Sequence, residues 1–402
     1  MSQLSFLDKL LDGVEVEWLP LGEFGQFIRG GGLQKKDFVE SGYPAIHYGQ
    51  IYTKYGLEAK ETFTFVSSEL ATKLKKAKKN DLLLATTSEN DEDVVKPLAW
   101  LGDSVAISGD MMIFRHEQNV KYLTYCIKTT EFQSSKKKYI TGAKVKRVSK
   151  DNLTKILVPI PCPNNPEKSL AIQAEIVRIL DTFTELTTEL TTELTTELNA
   201  RKQQYNYYRE QLLSREHHSS VQCTLGDALD MRAGKHIKAN NINKFEKNEF
   251  IYPCYGGNGL RGFVSDYSHD GSYVAIGRQG ALCGNIKRAN GKFYATEHAV
   301  ICSAKNGVNI DWVFHMLTYM NLNQYKSKSA QPGLAVSKIA KLPITIPPVA
   351  EQTRIAAILD KFDALTNSII EGLPREIELR QKQYEYYRDL LLSFPKPSDE
   401  AA

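Results

Sequence analysis

The sequence predicts an α+β chain: two mixed α/β domains separated by two long antiparallel coiled-coil helices, in a pseudo-twofold, circularly permuted repeat. Three observations predict it. First, IQAEIVRILDTFTEL (Ile172–Leu186) returns as EQTRIAAILDKFDAL (Glu351–Leu365), and RKQQYNYYREQLLS (Arg201–Ser214) returns as RQKQYEYYRDLLLS (Arg380–Ser393), both at an offset of 179 residues. Nine of fourteen positions in the second pair are identical, so the chain was duplicated. Second, apolar residues in these stretches fall at three- and four-residue spacing, as on one helix face. Third, the segments between them are rich in Gly, Tyr and β-branched residues, with turn signals such as Gly256-Gly257-Asn258-Gly259. The expected division is a first domain over 1–161, a central helix over 162–214, a second domain over 215–347, a distal helix over 348–393 and a disordered tail over 394–402.

The first domain opens on Leu21-Gly22-Glu23 and closes on Val148-Ser149-Lys150, which leads to LVPIP ending at Pro161. The second opens on Leu225-Gly226-Asp227 and closes on Val336-Ser337-Lys338, which leads to PITIP ending at Pro347. Between these brackets the halves share little. The central helix starts at Asn165-Pro166-Glu167: an N-cap, a proline at the first helical position and an acid in the first turn. Its apolar stripe is Ile172, Ile176, Ile179, Leu180, Phe183, Leu186, Leu190, Leu194 and Leu198. The distal helix starts near Pro348 and carries Ile355, Ile358, Leu359, Phe362 and Leu365; Gly372 and Pro374 should break or kink it before its Tyr block. The central Tyr block continues into Val221 to Gly226, whereas the second reaches the chain end and its continuation appears at Val16 to Gly22. The N- and C-terminal segments are therefore expected to lie close together.

A length of 402 residues calls for two or three domains. Apolar residues at 42%, charged residues at 24% and a net charge of +4 describe an ordinary soluble composition that permits nucleic acid without demanding it. The six cysteines contain no C-x-x-C pair, which argues against a zinc ribbon or disulfide framework and suits a reducing cytosol. Met1 to Leu11 carries Asp8 and Lys9 and no apolar run, and no membrane-length apolar stretch follows, so a cytoplasmic protein without membrane contact is expected.

Residues 187–198 are Thr-Thr-Glu-Leu three times over. Alone this is a poor helix, because threonine is a weak helix former and Glu185, Glu189, Glu193 and Glu197 repel at i,i+4. The leucine stripe must be held by a partner helix, for which the duplicated one is the candidate. One reading is a plain coiled-coil seam. The other is a ruler: four helical residues add about 6 Å and about 40°, and one base pair of DNA turns by about 35° for an advance of about 3.4 Å.

The EVEWLPLGE opening (Glu15–Glu23), the T-x-E-L repeats, the QYNYYR and QYEYYR blocks and EQTRIAAILDKFDAL together resemble the DNA specificity subunits of type I restriction–modification systems, the type IC group in particular. The resemblance covers the whole chain in architecture and is strong in the helices. It implies that each domain is a target-recognition domain reading one half of a split site in double-stranded DNA, and that the chain itself is not catalytic. It implies two methyltransferase subunits and two motor–nuclease subunits as partners, with S-adenosylmethionine, ATP and Mg²⁺ used by the complex and none bound by this chain. The helices would set the unread spacer and dock the methyltransferases through Leu186, Leu190, Leu194, Leu198, Tyr205, Tyr208, Arg209, Leu365, Tyr384, Tyr387 and Arg388. Three repeats imply the longer spacer, about seven base pairs. The repeats read T-T-E-L where the family's best-known members carry T-A-E-L, a departure that leaves the register unchanged.

DNA binding needs clustered cations and side chains that read base edges. From Lys121 to Lys155 ten basic residues face two acidic ones. Lys136, Lys137, Lys138, Tyr139, Thr141, Lys144, Lys146 and Arg147 are the candidates there, against the alternative of a solvated charged face. Lys73 to Lys79 is a second lysine cluster with the same two readings. In the second domain the candidates are Arg261, Arg278, Gln279, Lys287, Arg288, Lys326, Lys328 and Gln331, with Arg278-Gln279 either a base reader or a structural turn. Ile140–Ala143 and Ser329–Gly333 occupy matching places before V-S-K and suggest a shared DNA-facing loop.

Other motifs fail on context. Gly257 to Gly262 spells G-x-G-x-x-G, but no amphipathic helix follows to meet a pyrophosphate. No N-P-P-[YFW], D-P-P-[YFW] or P-loop occurs, Glu58-Ala59-Lys60 lacks an upstream metal carboxylate, and His217-His218 lacks ligand spacing to any Cys. A fused methyltransferase–nuclease and a free-standing DNA-binding or scaffold protein are the competing readings.

Overall fold

A computed structural model describes residues 10–11, 13–214, 220–280, 282–328, 332–367 and 372–396. The elements that position the functional surfaces are β1 (Val16–Pro20), α1 (Val120–Lys128), β2 (Leu157–Pro161), α2 (Pro166–Ser214), β3 (Val221–Thr224), α3 (Ile310–Tyr319), β4 (Pro343–Ile346), α4 (Val349–Asn367) and α5 (Leu373–Leu391). The chain forms two units, Met1–Thr192 with Glu378–Ala402, and Glu193–Ile377. Each unit thus contains one α/β module and part of the helical frame. No helix among the described residues is long and apolar enough to cross a membrane.

In the first unit, two five-stranded sheets form the module. One runs Gly25–Arg29, Met111–His116, Leu82–Ala85, Lys96–Trp100, Glu58–Ala59; the other runs Phe38–Val39, Thr64–Val66, Tyr43–Ile46, Val105–Ile107, Lys76–Ala77. Leu82–Ala85 is apolar and buried throughout, as a central strand covered on both faces should be. In the second unit a single six-stranded sheet takes their place, in the order Leu229–Ala233, Ala299–Ala304, His269–Gly277, Ile286–Ala295, Tyr252–Gly256, Gly259–Val264.

The bracket motifs close each module in the same way. β1 pairs antiparallel with β2 from Val16↔Pro161 to Pro20↔Leu157, and β3 with β4 from Val221↔Ile346 to Thr224↔Pro343. The Leu21 and Gly22 amides then donate to Ile156 O and Thr154 O, as Leu225 and Gly226 donate to Leu342 O and Ala340 O. The glycine is demanded by proximity: a Cβ at Gly22 would come 2.8 Å from Thr154 Cβ, and one at Gly226 would come 3.2 Å from Ala340 Cβ. The V-S-K echo is two residues out of structural register. Ser149 caps the short helix Lys150–Leu153, and the residue in its place is Ala335, which precedes Val336–Ile339.

α2 is one helix of 49 residues. Its first turns bury Ile172, Ile176, Val177 and Leu180 in the first unit's core, and α4 buries Ile355, Ala356 and Leu359 in the second unit's core. Burial then falls away, with Leu186 57% exposed and Leu365 37%, and α2 is buried again at Tyr205 and Leu213 in the second unit's core. The leucine stripe expected in a closed seam instead borders an open crevice of about 220 Å³, where Phe183, Leu186 and Leu190 of α2 face Arg380, Gln383, Tyr384 and Tyr387 of α5. The helices are antiparallel here, with Phe183 against Tyr387 (ring centroids 5.9 Å) and Thr184 Oγ1 donating to Tyr384 Oη at 3.0 Å. In the second unit Phe362, one repeat after Phe183, stacks on Tyr208, one repeat before Tyr387, at 5.5 Å. The duplication is thus a reciprocal exchange of the same contact.

α4 ends at Asn367 and α5 starts at Leu373, on either side of Gly372 and of residues 368–371, which lie outside the described set. Residues 394–396, expected in the disordered tail, are instead held in place. Phe394 is buried in the first unit's core, Trp18 Nε1 donates to Pro395 O at 3.0 Å, and Lys396 Nζ sits over the Trp18 ring. Burying one large aromatic and satisfying the indole N–H are sufficient to hold the segment, and they bring the two terminal stretches together.

The apolar seat can be tested in the full chain. Leu180→Ala and Leu359→Ala should each lower the unfolding free energy by about 2–5 kcal/mol. Leu186→Ala should cost under about 1 kcal/mol. Urea titration followed by circular dichroism reads the difference, and equal losses at all three positions would refute the seat.

Candidate nucleic-acid interface

In the first unit the basic run divides by structure. Lys136 is 1% exposed, and its Nζ donates to Val94 O at 2.7 Å, Glu92 O at 3.0 Å and Gln133 Oε1 at 2.5 Å. It is withdrawn as a DNA contact: a single ammonium satisfies carbonyls that a loop could not bury otherwise. Burial pushes its pKa down to about 8. Lys137 and Lys138 are exposed at the end of helix Thr130–Lys137, with Lys138 Nζ over the half-buried Tyr139 ring.

Thr141 and Arg147 then exchange both backbone hydrogen bonds at 2.9 Å and close a tight loop. Gly142 turns it with φ +94, and a Cβ there would meet Val145 O at 2.1 Å. The loop carries Lys144 and Arg147 exposed, and Val145 at 44% exposure. Lys146 is half-buried and paired with Asp91 at 3.3 Å, so it serves the loop's footing. In the second lysine cluster Lys73 pairs with Glu69, and Lys76 lies over the Tyr43 ring.

In the second unit a cleft of about 650 Å³ gathers Arg261, Gln279, His298, Leu260 and Leu282 among backbone-rich walls. The glycine run belongs to this cleft. Tyr252–Gly256 and Gly259–Val264 form a hairpin whose tip passes so close to the neighbouring loop that a Cβ at Gly257 would lie 2.6 Å from Gln279 O, and one at Gly277 2.0 Å from Gly257 O. Gly280 N donates to Pro332 O and Leu334 N to Arg278 O, which joins the Arg278–Gly280 turn to the loop before the closing bracket. Lys326 and Lys328 are exposed on either side of Ser327, whose amide donates to Gly333 O, and exposed Lys287 flanks Gly259. Arg261 and Gln279 are exposed and Arg278 is half-buried. Gln331, with Ser329 and Ala330, lies outside the described residues, as do His217 and His218.

Arg288 is not part of this surface. It pairs with Asp360 of α4 and with Asp311 at 3.6 Å, and its guanidinium lies 4.3 Å from the Phe314 ring centroid. His315, fully buried beside it, donates from Nε2 to Asp360 Oδ1 at 2.7 Å, and burial holds its pKa below the usual histidine value despite that carboxylate. The arginine joins module to frame.

Leu260 (56% exposed) and Leu282 (48%) were not found by reading the sequence, because single leucines beside Gly and Arg give no periodic signal. Among the described residues no three His, Cys, Asp or Glu side chains come together as metal ligands.

The helical face is also sorted by structure. Tyr205 is 6% exposed and Arg388 7%, so both turn inward, with Arg209 over Tyr205 and Arg388 over Tyr384. They are removed from the docking surface. Tyr207, Tyr208, Tyr386 and Tyr387 stand out at 60, 39, 55 and 41% exposure, while Leu190, Leu194 and Leu198 are half-buried.

Two unlike, cation-rimmed modules on one repeated frame define a protein built to bind at two different surfaces. The family model described as type I restriction modification DNA specificity domain matches residues 13–200 and 220–379, and the chain belongs to that family. It is similar to the type I restriction enzyme EcoprrI specificity subunit of Escherichia coli, 48% identical over 381 residues, covering 92% of this chain and 93% of that one. The EcoR124I/EcoR124II specificity subunit of Escherichia coli is 38% identical over 429 residues, covering 99% of both. In fold, the chain matches one from a structure of complex assembly and conformational transition of the type I R-M system, with a TM-score of 0.65, 15% identity and coverage of 94% and 97%.

The reassignment of Lys136 has a pH signature. Its folded pKa lies below the ordinary lysine value, so between about pH 8 and about 10.4 the unfolded chain holds more protons and stability should rise with pH across that window. Lys136→Met should flatten this rise and cost about 1–3 kcal/mol through three orphaned acceptors. Urea midpoints of both chains at pH 7.5 and 10 measure it; a variant as stable as the parent would restore Lys136 to the surface.

Proposed function

We propose that this chain reads a split, asymmetric target in double-stranded DNA, one half-site per module, and supplies that specificity to partner subunits that carry out the chemistry. The observation that carries the reading is the pairing of a repeated frame with unlike modules: equal frames call for equal partners, and unlike modules for unlike half-sites. Lys137, Lys138, Lys144 and Arg147 in the first unit, and Lys287, Lys326 and Lys328 in the second, are exposed cations suited to phosphates. Arg261 and Gln279 border one cleft, and these side-chain types read guanine and adenine edges.

The tyrosine pairs support two docking events. Tyr207–Tyr208 and Tyr386–Tyr387 are exposed edge-to-face pairs, each at 5.5 Å and 179 residues apart in sequence. Exposed aromatic pairs are what a protein interface anchors on. Two equal faces take two copies of one methyltransferase subunit, to which two motor–nuclease subunits add. In this reading the chain is non-catalytic and cytoplasmic. S-adenosylmethionine for adenine-N6 methylation, and ATP with Mg²⁺ for translocation and cleavage, belong to the partners. Residues 187–198 of α2, with Leu190, Leu194 and Leu198 half-buried, are the ruler, three repeats setting a spacer of about seven base pairs.

Single-molecule sequencing of N6-methyladenine in cells carrying the chain with its methyltransferase should show one split asymmetric motif that vanishes when the chain is removed. Methylation by the purified chain alone would establish an enzyme instead. Deleting one Thr-Thr-Glu-Leu should shorten the spacer by about one base pair, since about 40° of helix rotation matches one base-pair step. Both half-sites should stay as they were; a changed half-site would break the division of labour between modules and ruler. Leu194→Asp should reduce co-purification of the methyltransferase without altering the bases read.

A further inference from the structure

Each module meets its frame helix through one buried glutamine. In the first unit Gln173 of α2 is fully buried; its Oε1 accepts the Asn119 amide at 2.9 Å, and its Nε2 donates to Gln118 Oε1 at 2.6 Å and Ser169 Oγ at 3.0 Å. In the second unit Gln352 of α4, one repeat later, is fully buried; its Oε1 accepts the Asn309 amide at 2.7 Å, and its Nε2 donates to Pro347 O at 2.8 Å and Gly307 O at 3.0 Å. Asn119 and Asn309 are themselves the N-caps of α1 and α3, each side chain accepting the second and third helix amides, those of Lys121 and Tyr122 and of Asp311 and Trp312. The same atom of the same residue type therefore grips the first backbone group of a helix in two modules that share little sequence.

A second grip lies eight residues along each frame helix. Asp181 accepts Lys121 Nζ at 2.7 Å and Tyr125 Oη at 2.8 Å from α1. Asp360 holds His315 of α3 at 2.7 Å and Arg288. Eight helical residues span about 12 Å, so the two grips define a line rather than a point. Apolar packing is non-directional and lets a seated helix slide or roll, whereas a buried acceptor with one donor admits a single geometry. The glutamine reads a backbone amide, which every capped helix has, so its grip is indifferent to module sequence. The aspartate takes whichever donors the module supplies.

We infer that Gln173 and Gln352 are positioning residues that set the angle of each recognition module on its frame helix, and through it the accuracy with which the spacer is measured. The inference rests on the DNA-reading function proposed above. Neither residue touches the candidate DNA surface.

The test uses the full chain assembled with its methyltransferase. Gln352→Met keeps the volume and removes all three hydrogen bonds, and Phe293→Leu, in a separate cluster of the second unit, serves as a control for lost stability. Two readouts are taken: amide exchange over 305–320, and methylation of targets whose spacer is one base pair longer or shorter. Gln352→Met should speed exchange at Asn309 and raise off-spacer methylation, each on the order of tenfold, the size of one lost buried hydrogen bond. The half-site bases should not change. Phe293→Leu should leave the spacer preference of the parent. Equal spacer preference in both variants would reduce Gln352 to a stabilising residue and overturn the inference. Should Gln352→Met fail to fold, Gln352→Asn shortens the reach by one methylene, and an unchanged spacer preference there overturns it equally. A parent assembly that methylates no split motif would sink the proposed function instead, and amide exchange then decides the grip alone.

Discussion

A short apolar face of each frame helix, fully buried in a module, is the constraint on which the other features depend. Ile176 and Leu180 in one unit, and Ile355 and Leu359 in the other, have no exposed surface. Each such side chain contributes about 1.5–3 kcal/mol by leaving water, and one turn of helix delivers two of them. That anchoring explains how a stretch as poor in helix formers as residues 187–198 stays helical. Helix growth from an existing turn is far easier than nucleation, and the seated turns provide the nucleus. The threonines do not supply that stability: Thr188, Thr191 and Thr192 donate to carbonyls four residues back, which satisfies their hydroxyls but slightly weakens a helix.

The junction of module and frame then divides into a constant and a variable part. The carboxylate is constant, at Asp181 and Asp360. Its donors are not: Lys121 and Tyr125 in one unit, Arg288 and His315 in the other. A half-buried carboxylate is best met by cationic or hydroxyl donors, but nothing requires them to come from the same secondary element. Lys121 and Tyr125 both lie on a helix, whereas Arg288 lies on the strand Ile286–Ala295. Modules can thus differ in sheet number and sequence while their frame stays the same, provided that the frame's buried polar atoms are satisfied.

What could be read from the sequence follows the range of the forces involved. The repeat, the helix start at Asn165-Pro166, the break near Gly372 and the bracket motifs are local or periodic signals, and the structure carries each of them. Lys136 and Arg288 were misplaced because burial of a cation is decided by distant groups. Lys136 is caught by Val94 and Glu92 across more than forty residues, and Arg288 by Asp360 across seventy-two. A lysine run has the same pattern whether one member turns inward or none does. The V-S-K echo misled by two residues, because similar tripeptides occupy the cap and the first turn in different order. The glycine run serves the backbone-to-backbone approach of two loops, through contacts from Gly257 to Gln279 that no spacing reveals.

The tyrosine blocks show why the duplication is best preserved where it is. In Tyr205-x-Tyr207-Tyr208 the first ring is buried under Arg209, and the next two are exposed; Tyr384 is half-buried beside Arg388, and Tyr386 and Tyr387 are again exposed. Two or three residues along a helix turn a side chain far enough to change which face it occupies. Positions on the inner face meet the other frame helix, Tyr205 at Phe362 and Tyr384 at Thr184. Positions on the outer face must present the same surface twice if they meet two copies of one partner. The inner members of the block thus have a packing reason to recur, because the helix each one meets is itself repeated.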